Sequence, residues 1–423
     1  MTGFAETACA LGRRICRDAI WAGNACNWIG PSADSWNPWE IRQRSLTPDL
    51  YSGTGGIALF LACLARIEDA PLIHKTAEGA ATHAWAHARD LSHAVQIGVY
   101  SGTLGIAWAL VRIGEVLGAP SWLERGLELL ESIDLEAADA GFDVMSGYAG
   151  AIPVLLDLSR RFERPAWLET ALHWGGKLER AATKTPEGSS WRTIDVRAAA
   201  RRRNLTGFSH GTAGIGWALV QLFQATGESR FCHAAEQAFQ YERSFYNAEA
   251  ENWPDFRDYL RPPGSPPAYG MAWCHGAPGI ALSRLRAWRF GGSQLRDEAE
   301  IAIRTTSRAL ESSAAVHGGF SLCHGCAGNA DVLLEASREL AAPDLRQIAE
   351  NIGQRGIDSF ERQRWPWPCG IPGAGESTSL MLGTSGIGYF YLRSCGFGPA
   401  NRSDHRIDRK PAMDARESGP NTF

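Results

Sequence analysis

The sequence predicts an all-α fold, an α/α toroid in which seven inner helices are ringed by seven outer ones. Three observations carry that expectation. Seven segments align without gaps around a Gly-x-x-Gly step: YSGTGGIALFL from Tyr51, YSGTLGIAWAL from Tyr100, MSGYAGAIPVL from Met145, SHGTAGIGWAL from Ser209, CHGAPGIALSR from Cys274, CHGCAGNADVL from Cys323 and MLGTSGIGYFY from Met381. Each step runs into a stretch that is apolar around most of its circumference, such as IALFLACLA from Ile57, which marks a buried helix. Between these stretches lie amphipathic segments with charged faces, among them WLERGLELLESI from Trp122 and LRDEAEIAIRTTSRALESS from Leu295.

The first glycines of the steps, Gly53, Gly102, Gly147, Gly211, Gly276, Gly325 and Gly383, recur at a spacing that accommodates two helices and two loops. An open solenoid would use the same units but needs a polar cap at each end. Neither terminus reads as a cap, so a closed ring is expected.

Taken in order, residues 1–50 read as one helix, AETACALGRRICRDAIWAG, followed by a loop bearing Trp and Pro. Glycine in the steps allows positive φ or close approach of a neighbour. Pro278 suits the first turn of the fifth inner helix, where a missing N–H is tolerated. Pro153 lies deeper in the third and is expected to delay that helix by a residue or two. Loops rich in Gly and Pro fall at Arg261–Gly270 and Trp365–Gly375. The basic stretch RAAARRRN ending at Asn204 reads as a solvated loop, with contact to an acidic peptide as its other reading. Residues 1–395 are expected to form a single domain, and the polar tail 396–423 to be disordered.

Composition narrows the function. A hydrophobic content of 44% is ample for a buried core, and a net charge of −4 gives no electrostatic case for nucleic acid or an anionic membrane. No apolar run reaches the roughly 18 residues that a membrane span needs. Arg13, Arg14 and Arg17 interrupt the first apolar stretch, against a signal peptide. Ten cysteines in 423 residues are not a dense disulfide framework. A reducing cytoplasm is the expected compartment, and there thiols stay free for metal or catalysis.

The chemistry sits in the turns. The residue before the first glycine is Ser52, Ser101, Ser146, His210, His275, His324 and Leu382 in the seven copies; one place earlier stand Tyr51, Tyr100, Met145, Ser209, Cys274, Cys323 and Met381. Histidine makes up 11 of 423 residues, so three in seven equivalent slots concentrate function in copies four to six. Thiolate and imidazole are the ligands that zinc prefers. Cys274, Cys323 and His324 are therefore read as a three-ligand Zn²⁺ site with one open position. His275 shares the slot as ligand, proton donor or lining. Cys326 falls after the glycine, where a helix carries it away. His210 is the acid/base candidate. Asp143 is either a helix cap or a catalytic carboxylate. No copy carries the Gly-Lys-Ser/Thr ending of a phosphate loop, and no Gly-x-Ser-x-Gly elbow is present.

With the ordered set of turns, and with FSHGTAG at Phe208, AWCHGAPG at Ala272, LCHG at Leu322 and NWPDFRDY from Asn252, the chain resembles the lanthionine cyclase (LanC-like) family over residues 10 to 395. It is most similar to the cyclase half of class II lanthipeptide synthetases. The resemblance implies an α/α toroid, zinc on Cys274, Cys323 and His324, an acid/base role for His210 and an active-site aspartate at Asp143. An arginine found in some members four residues before the first zinc cysteine corresponds here to Gly270. That role is vacant or met elsewhere, with Arg257 as the candidate.

The implied reaction is addition of a cysteine thiolate to dehydroalanine or dehydrobutyrine in a dehydrated, Cys-containing precursor peptide. Dehydration would then come from a separate dehydratase. Two other readings stand beside it: an enzyme that adds glutathione or another thiol to dehydroamino acids in proteins, and a non-catalytic, zinc-bearing peptide-binding scaffold. In the last case His275 or Cys326 would be expected as a fourth ligand.

Overall fold

Each Gly-x-x-Gly step is the N-terminus of an inner helix. In the computed structural model, which describes residues 3–33, 41–135, 140–193, 203–257, 265–312 and 315–396, the inner helices are α2 (Thr54–Ala65), α4 (Thr103–Leu117), α6 (Tyr148–Phe162), α8 (Thr212–Thr226), α10 (Ala277–Gly291), α12 (Cys326–Glu339) and α14 (Thr384–Ser394). They alternate with the outer helices α1 (Gly3–Arg17), α3 (Pro71–His87), α5 (Pro120–Glu131), α7 (Pro165–Ala181), α9 (Ser229–Ser244), α11 (Ser293–Glu311) and α13 (Pro343–Gly356). Proline opens α3, α5, α7 and α13, where its fixed φ suits a first turn and its missing N–H removes no helical bond. All twelve residues of α2 are buried, whereas α11 buries one face only.

Packing closes the ring. Each of the first six inner helices packs on the outer helix that follows it. The seventh, α14, packs on α1 instead and also on α2, so the first helix of the chain completes the last unit. One apolar cluster extends from α1 to α14.

The inner turns are tied to one another by main-chain bonds. Tyr51 N donates to Tyr100 O (2.8 Å), Tyr100 N to Met145 O (3.1 Å), Val144 N to Ser209 O (3.0 Å) and Ser209 N to Cys274 O (3.1 Å). Cys323 N donates to Met381 O (2.9 Å) and Met381 N to Tyr51 O (2.9 Å). Six junctions of the ring are thus stitched amide to carbonyl. The junction between copies five and six carries no such bond among the described residues; the side chain of Asn329 reaches Met271 O there instead (2.8 Å).

The glycines are required mainly for space. At the second glycine of every copy (Gly56, Gly105, Gly150, Gly214, Gly279, Gly328 and Gly386) an added Cβ would run into the carbonyl oxygen six residues earlier. Positive φ, allowed for by the sequence, is needed only at Gly276 among the seven first glycines (φ +89).

Two expectations are corrected. Pro153 does not delay its helix: α6 starts at Tyr148, directly after Gly147 like its counterparts, because a proline in the second turn removes only one backbone bond. The first helix, expected to run to Gly23, ends at Arg17, and the residues after it form two antiparallel ribbons, β1 (Ile20–Ala22) with β2 (Ala25–Asn27) and β3 (Ile29–Ala33) with β4 (Ile41–Ser45). A third ribbon pairs β5 (Thr183–Thr185) with β6 (Gly188–Ser190). All three are local hairpins whose short alternating runs carry too little pattern to announce a strand. The tail beyond residue 396 and most of the basic stretch before Asn204 lie outside the described residues. Among the described residues no helix is long and apolar enough to cross a membrane.

Candidate metal centre and active site

The unstitched junction is where the ligand candidates meet. One ligand atom each from Cys274, Cys323 and His324 lie within 4.8 Å of one another, a group able to hold a metal ion. Cys274 is the second residue before the glycine of copy five and Cys323 its equivalent in copy six, so helix-start geometry presents both sulfurs at the same level. The two cysteines are buried and His324 is exposed.

The electrostatics fit a cation. The Cys323 thiol donates to the Cys274 sulfur, and this bond, aided by the charge of Arg257, holds the Cys274 thiol below the ordinary range. The same bond, together with burial, pushes Cys323 well above it. The pair thus retains a proton that a divalent ion would displace. His324 Nε2 lies 2.7 Å from the carbonyl oxygen of Gly370, an acceptor only, so Nε2 carries the proton and Nδ1 is left with its lone pair. An added Cβ at Gly370 would stand 3.0 Å from that same Nε2 and 2.6 Å from Leu382 Cδ2. The segment holding Gly370 is anchored on both sides: Gly370 N donates to Leu382 O, Phe320 N to Pro368 O, and Trp367 is buried among Phe320, Phe360 and Tyr391.

His210, one copy before Cys274, is joined to Asp143 through Nδ1···Oδ2 at 2.6 Å. Asp143 also accepts from Ser146 N through its other oxygen (2.9 Å), a bond inside the turn that precedes α6. The helix itself is entered at Gly147 with no side-chain cap, so Asp143 is not the helix cap that the sequence offered as one reading. The His210 side chain is 31% exposed and that of Asp143 5%, which puts the imidazole toward solvent and the carboxylate behind it.

His275 is placed differently. It is buried, its ring is nearly parallel to His210 with centroids 6.2 Å apart, and neither ring nitrogen has a hydrogen-bond partner among the described residues. Burial, with Arg257 nearby, pushes it down to about 3, so the ring is neutral. Asp255 Oδ1 approaches its Nδ1 at 4.0 Å, but that carboxylate is chelated by Arg257. Cys326 donates to Ala315 O at 2.8 Å, away from the group.

Three contributors were not assigned a role from sequence. Tyr51 donates to the Cys323 sulfur at 3.0 Å; its place in the same slot as Cys274 and Cys323 was the available signal. Gly370 lay in a loop noted only for its Gly and Pro content. Asn252, in the NWPDFRDY run, accepts from Ala277 N (2.8 Å) and donates to Gly270 O (3.0 Å), so it caps α10 and fixes the turn holding Cys274.

Comparison with known proteins agrees with this architecture. The family described as "Lanthionine synthetase C-like protein" matches residues 44–395. The chain is 23% identical over 198 residues to the Lacticin 481/lactococcin biosynthesis protein LcnDR2 of Lactococcus lactis subsp. lactis, covering 45% of this chain and 21% of that one. It is 30% identical over 129 residues to Glutathione S-transferase LANCL1 of Danio rerio, covering 29% of this chain and 28% of that one. These matches therefore span less than a third of either curated relative. Among solved structures, nisin cyclase superposes with a TM-score of 0.61 at 17% identity, covering 83% of this chain and 90% of that one, which shows a shared fold.

Proposed function

The chain belongs to the lanthionine synthetase C-like family, and from that premise we propose that it is a zinc-dependent lanthionine cyclase acting on a dehydrated, Cys-containing precursor peptide. The observation that carries the proposal is the convergence of Cys274, Cys323 and His324 at one junction, with neither His275 nor Cys326 in the group. Three protein ligands leave a position for an incoming thiol, as catalytic zinc sites do and structural ones do not. Bound there, zinc would supply the Lewis acidity that keeps a cysteine thiol deprotonated near neutral pH.

The protein's own residues would do the rest. The substrate sulfur forms a bond to the β-carbon of dehydroalanine or dehydrobutyrine, and the alkene pair moves through Cα onto the adjacent carbonyl. His210 then delivers a proton to Cα, replacing the one the thiol lost, so the product is an isomer of the substrate. Asp143 accepts the Nδ1–H of His210 and directs Nε2 outward as the donor. His275, neutral and with its ring 6.2 Å from that of His210, lines the site without competing for its proton. Arg257 is the candidate to stabilise the enolate oxygen, since its charge is felt at both cysteine sulfurs. A separate dehydratase would supply the dehydrated residues.

Addition of a free thiol such as glutathione would use the same atoms, and the similarity to a glutathione S-transferase supports assaying it in parallel. Cys323→Ala is expected to remove stoichiometric zinc and abolish cyclisation of a dehydrated peptide, read by metal analysis and by protection from thiol alkylation. Full cyclisation by the metal-free variant would refute the reading.

A further inference from the structure

A site that gathers an incoming thiol beside two protein sulfurs has a selectivity problem. All three are soft nucleophiles, and an electrophilic alkene held among them could be captured by the protein. Such capture would form a thioether to Cys274 or Cys323, consume the enzyme and leave the peptide attached. The structure contains a device at one of the two sulfurs. Tyr51 lies in the first copy, yet its hydroxyl crosses to the sixth and donates to the Cys323 sulfur at 3.0 Å.

The phenol is held there rigidly. The Tyr51 main chain is bonded on both sides, N–H to Tyr100 O and carbonyl from Met381 N. Its ring meets Tyr100 edge-on with centroids 6.4 Å apart, and Tyr100 meets Trp273, next to Cys274, at 5.3 Å. A hydrogen bond to a thiolate withdraws electron density from sulfur and occupies a lone pair that an electrophile would need.

Building on the zinc reading above, we propose that Tyr51 is a positioning residue that suppresses the nucleophilicity of Cys323, so that the electrophile is captured by the substrate sulfur and not by the ligand. Tyr51 touches neither reacting carbon; it acts through Cys323. The inference predicts an unequal pair, with Cys323 the slower of the two protein sulfurs toward electrophiles.

The test compares wild type, Tyr51→Phe and Tyr100→Phe, each loaded with zinc and quantified by metal analysis. Tyr100 occupies the equivalent slot in the next copy but makes no hydrogen bond to either sulfur among the described residues. Iodoacetamide alkylation is followed at Cys274 and Cys323 by peptide mass spectrometry. Tyr51→Phe should keep zinc and raise the rate at Cys323 about tenfold, the effect of losing a hydrogen bond to a charged acceptor, with Cys274 unchanged. Tyr100→Phe should change neither rate. Incubation of Tyr51→Phe with a dehydroalanine peptide should build up a covalent adduct on Cys323.

Equal Cys323 rates in wild type and Tyr51→Phe would overturn the proposal. So would loss of zinc from Tyr51→Phe, because the hydroxyl would then govern metal binding and not which sulfur reacts. Wild-type protein that binds no zinc would instead sink the functional reading. The alkylation ratio measured on that metal-free protein would still show whether the hydroxyl shields Cys323.

Discussion

The turns of copies one and three are built alike and used differently. In copy one Asp49 accepts from Ser52 N at 2.8 Å, and its remaining oxygen takes the hydroxyl of Thr47. In copy three Asp143 makes the same bond to Ser146 N at 2.9 Å, and its remaining oxygen takes His210. The scaffold asks each aspartate only to cap a turn, so the second oxygen is free for whatever the neighbouring copy supplies. Copy two supplies a serine in the histidine slot, and copy four supplies His210. The same economy holds around the ring: six junctions are tied by peptide groups, and the seventh, between copies five and six, has two sulfurs and an imidazole in their place.

The largest effect should come from exchanging the two carboxylates for amides, which keep a capping oxygen. Asp143→Asn is expected to lower the cyclisation rate by roughly 10²- to 10⁴-fold, the usual worth of an oriented acid/base group. Zinc content and melting temperature should stay close to wild type. Asp49→Asn should leave the rate unchanged; a comparable loss there would dissolve the contrast.

Removing zinc should loosen one junction and spare six. At a metal concentration a thousandfold above Kd, chelation should cost about 4 kcal/mol of stability. Hydrogen exchange should accelerate in the turns of copies five and six, while the amides of Tyr51, Tyr100 and Met381 keep their protection. Uniform acceleration around the ring would mean that metal supports the whole fold and not that seam.

Glu242 gives a pH test on the polar side. It lies fully buried beneath the fourth turn, accepts from Gly207 N at 3.2 Å, and burial pushes it up to about 8. A carboxyl raised in the folded state favours folding fully below its ordinary 4.5, and that contribution is lost as pH rises through 8. Glu242→Gln should therefore flatten the decline of unfolding free energy across that window, which for wild type is at most about 1.4 kcal/mol per pH unit. Denaturant titrations at several pH values would measure it.

The smallest effect is expected at Gly370. Gly370→Ala should push the His324 imidazole aside and weaken zinc binding about 10- to 100-fold, the range for lost outer contacts to a ligand. Competition with a chromophoric chelator would read it. An unchanged affinity would show that the loop carrying Gly370 yields and does not position.

Much of this was legible in one dimension. Seven glycine steps, each followed by a buried apolar helix, dictate a repeat whose inner faces must bury one another. The identities of the two slots before each first glycine mark Cys274, Cys323, His324 and His210 as a set, because equivalent positions in a ring project to one side. Local chemistry was therefore written in the spacing.

What the sequence could not contain was contact between units far apart in the chain. That α1 serves as the outer partner of α14 depends on ring closure. So does the reach of Tyr51 to a residue 272 positions later, and the placing of the Gly370 carbonyl on His324. That Asp143 meets His210 likewise depends on copy four packing beside copy three, since one carboxylate has two oxygens and the sequence addresses just the nearer partner, Ser146. Periodicity fixes which face a residue shows, but only the packed ring determines what stands opposite.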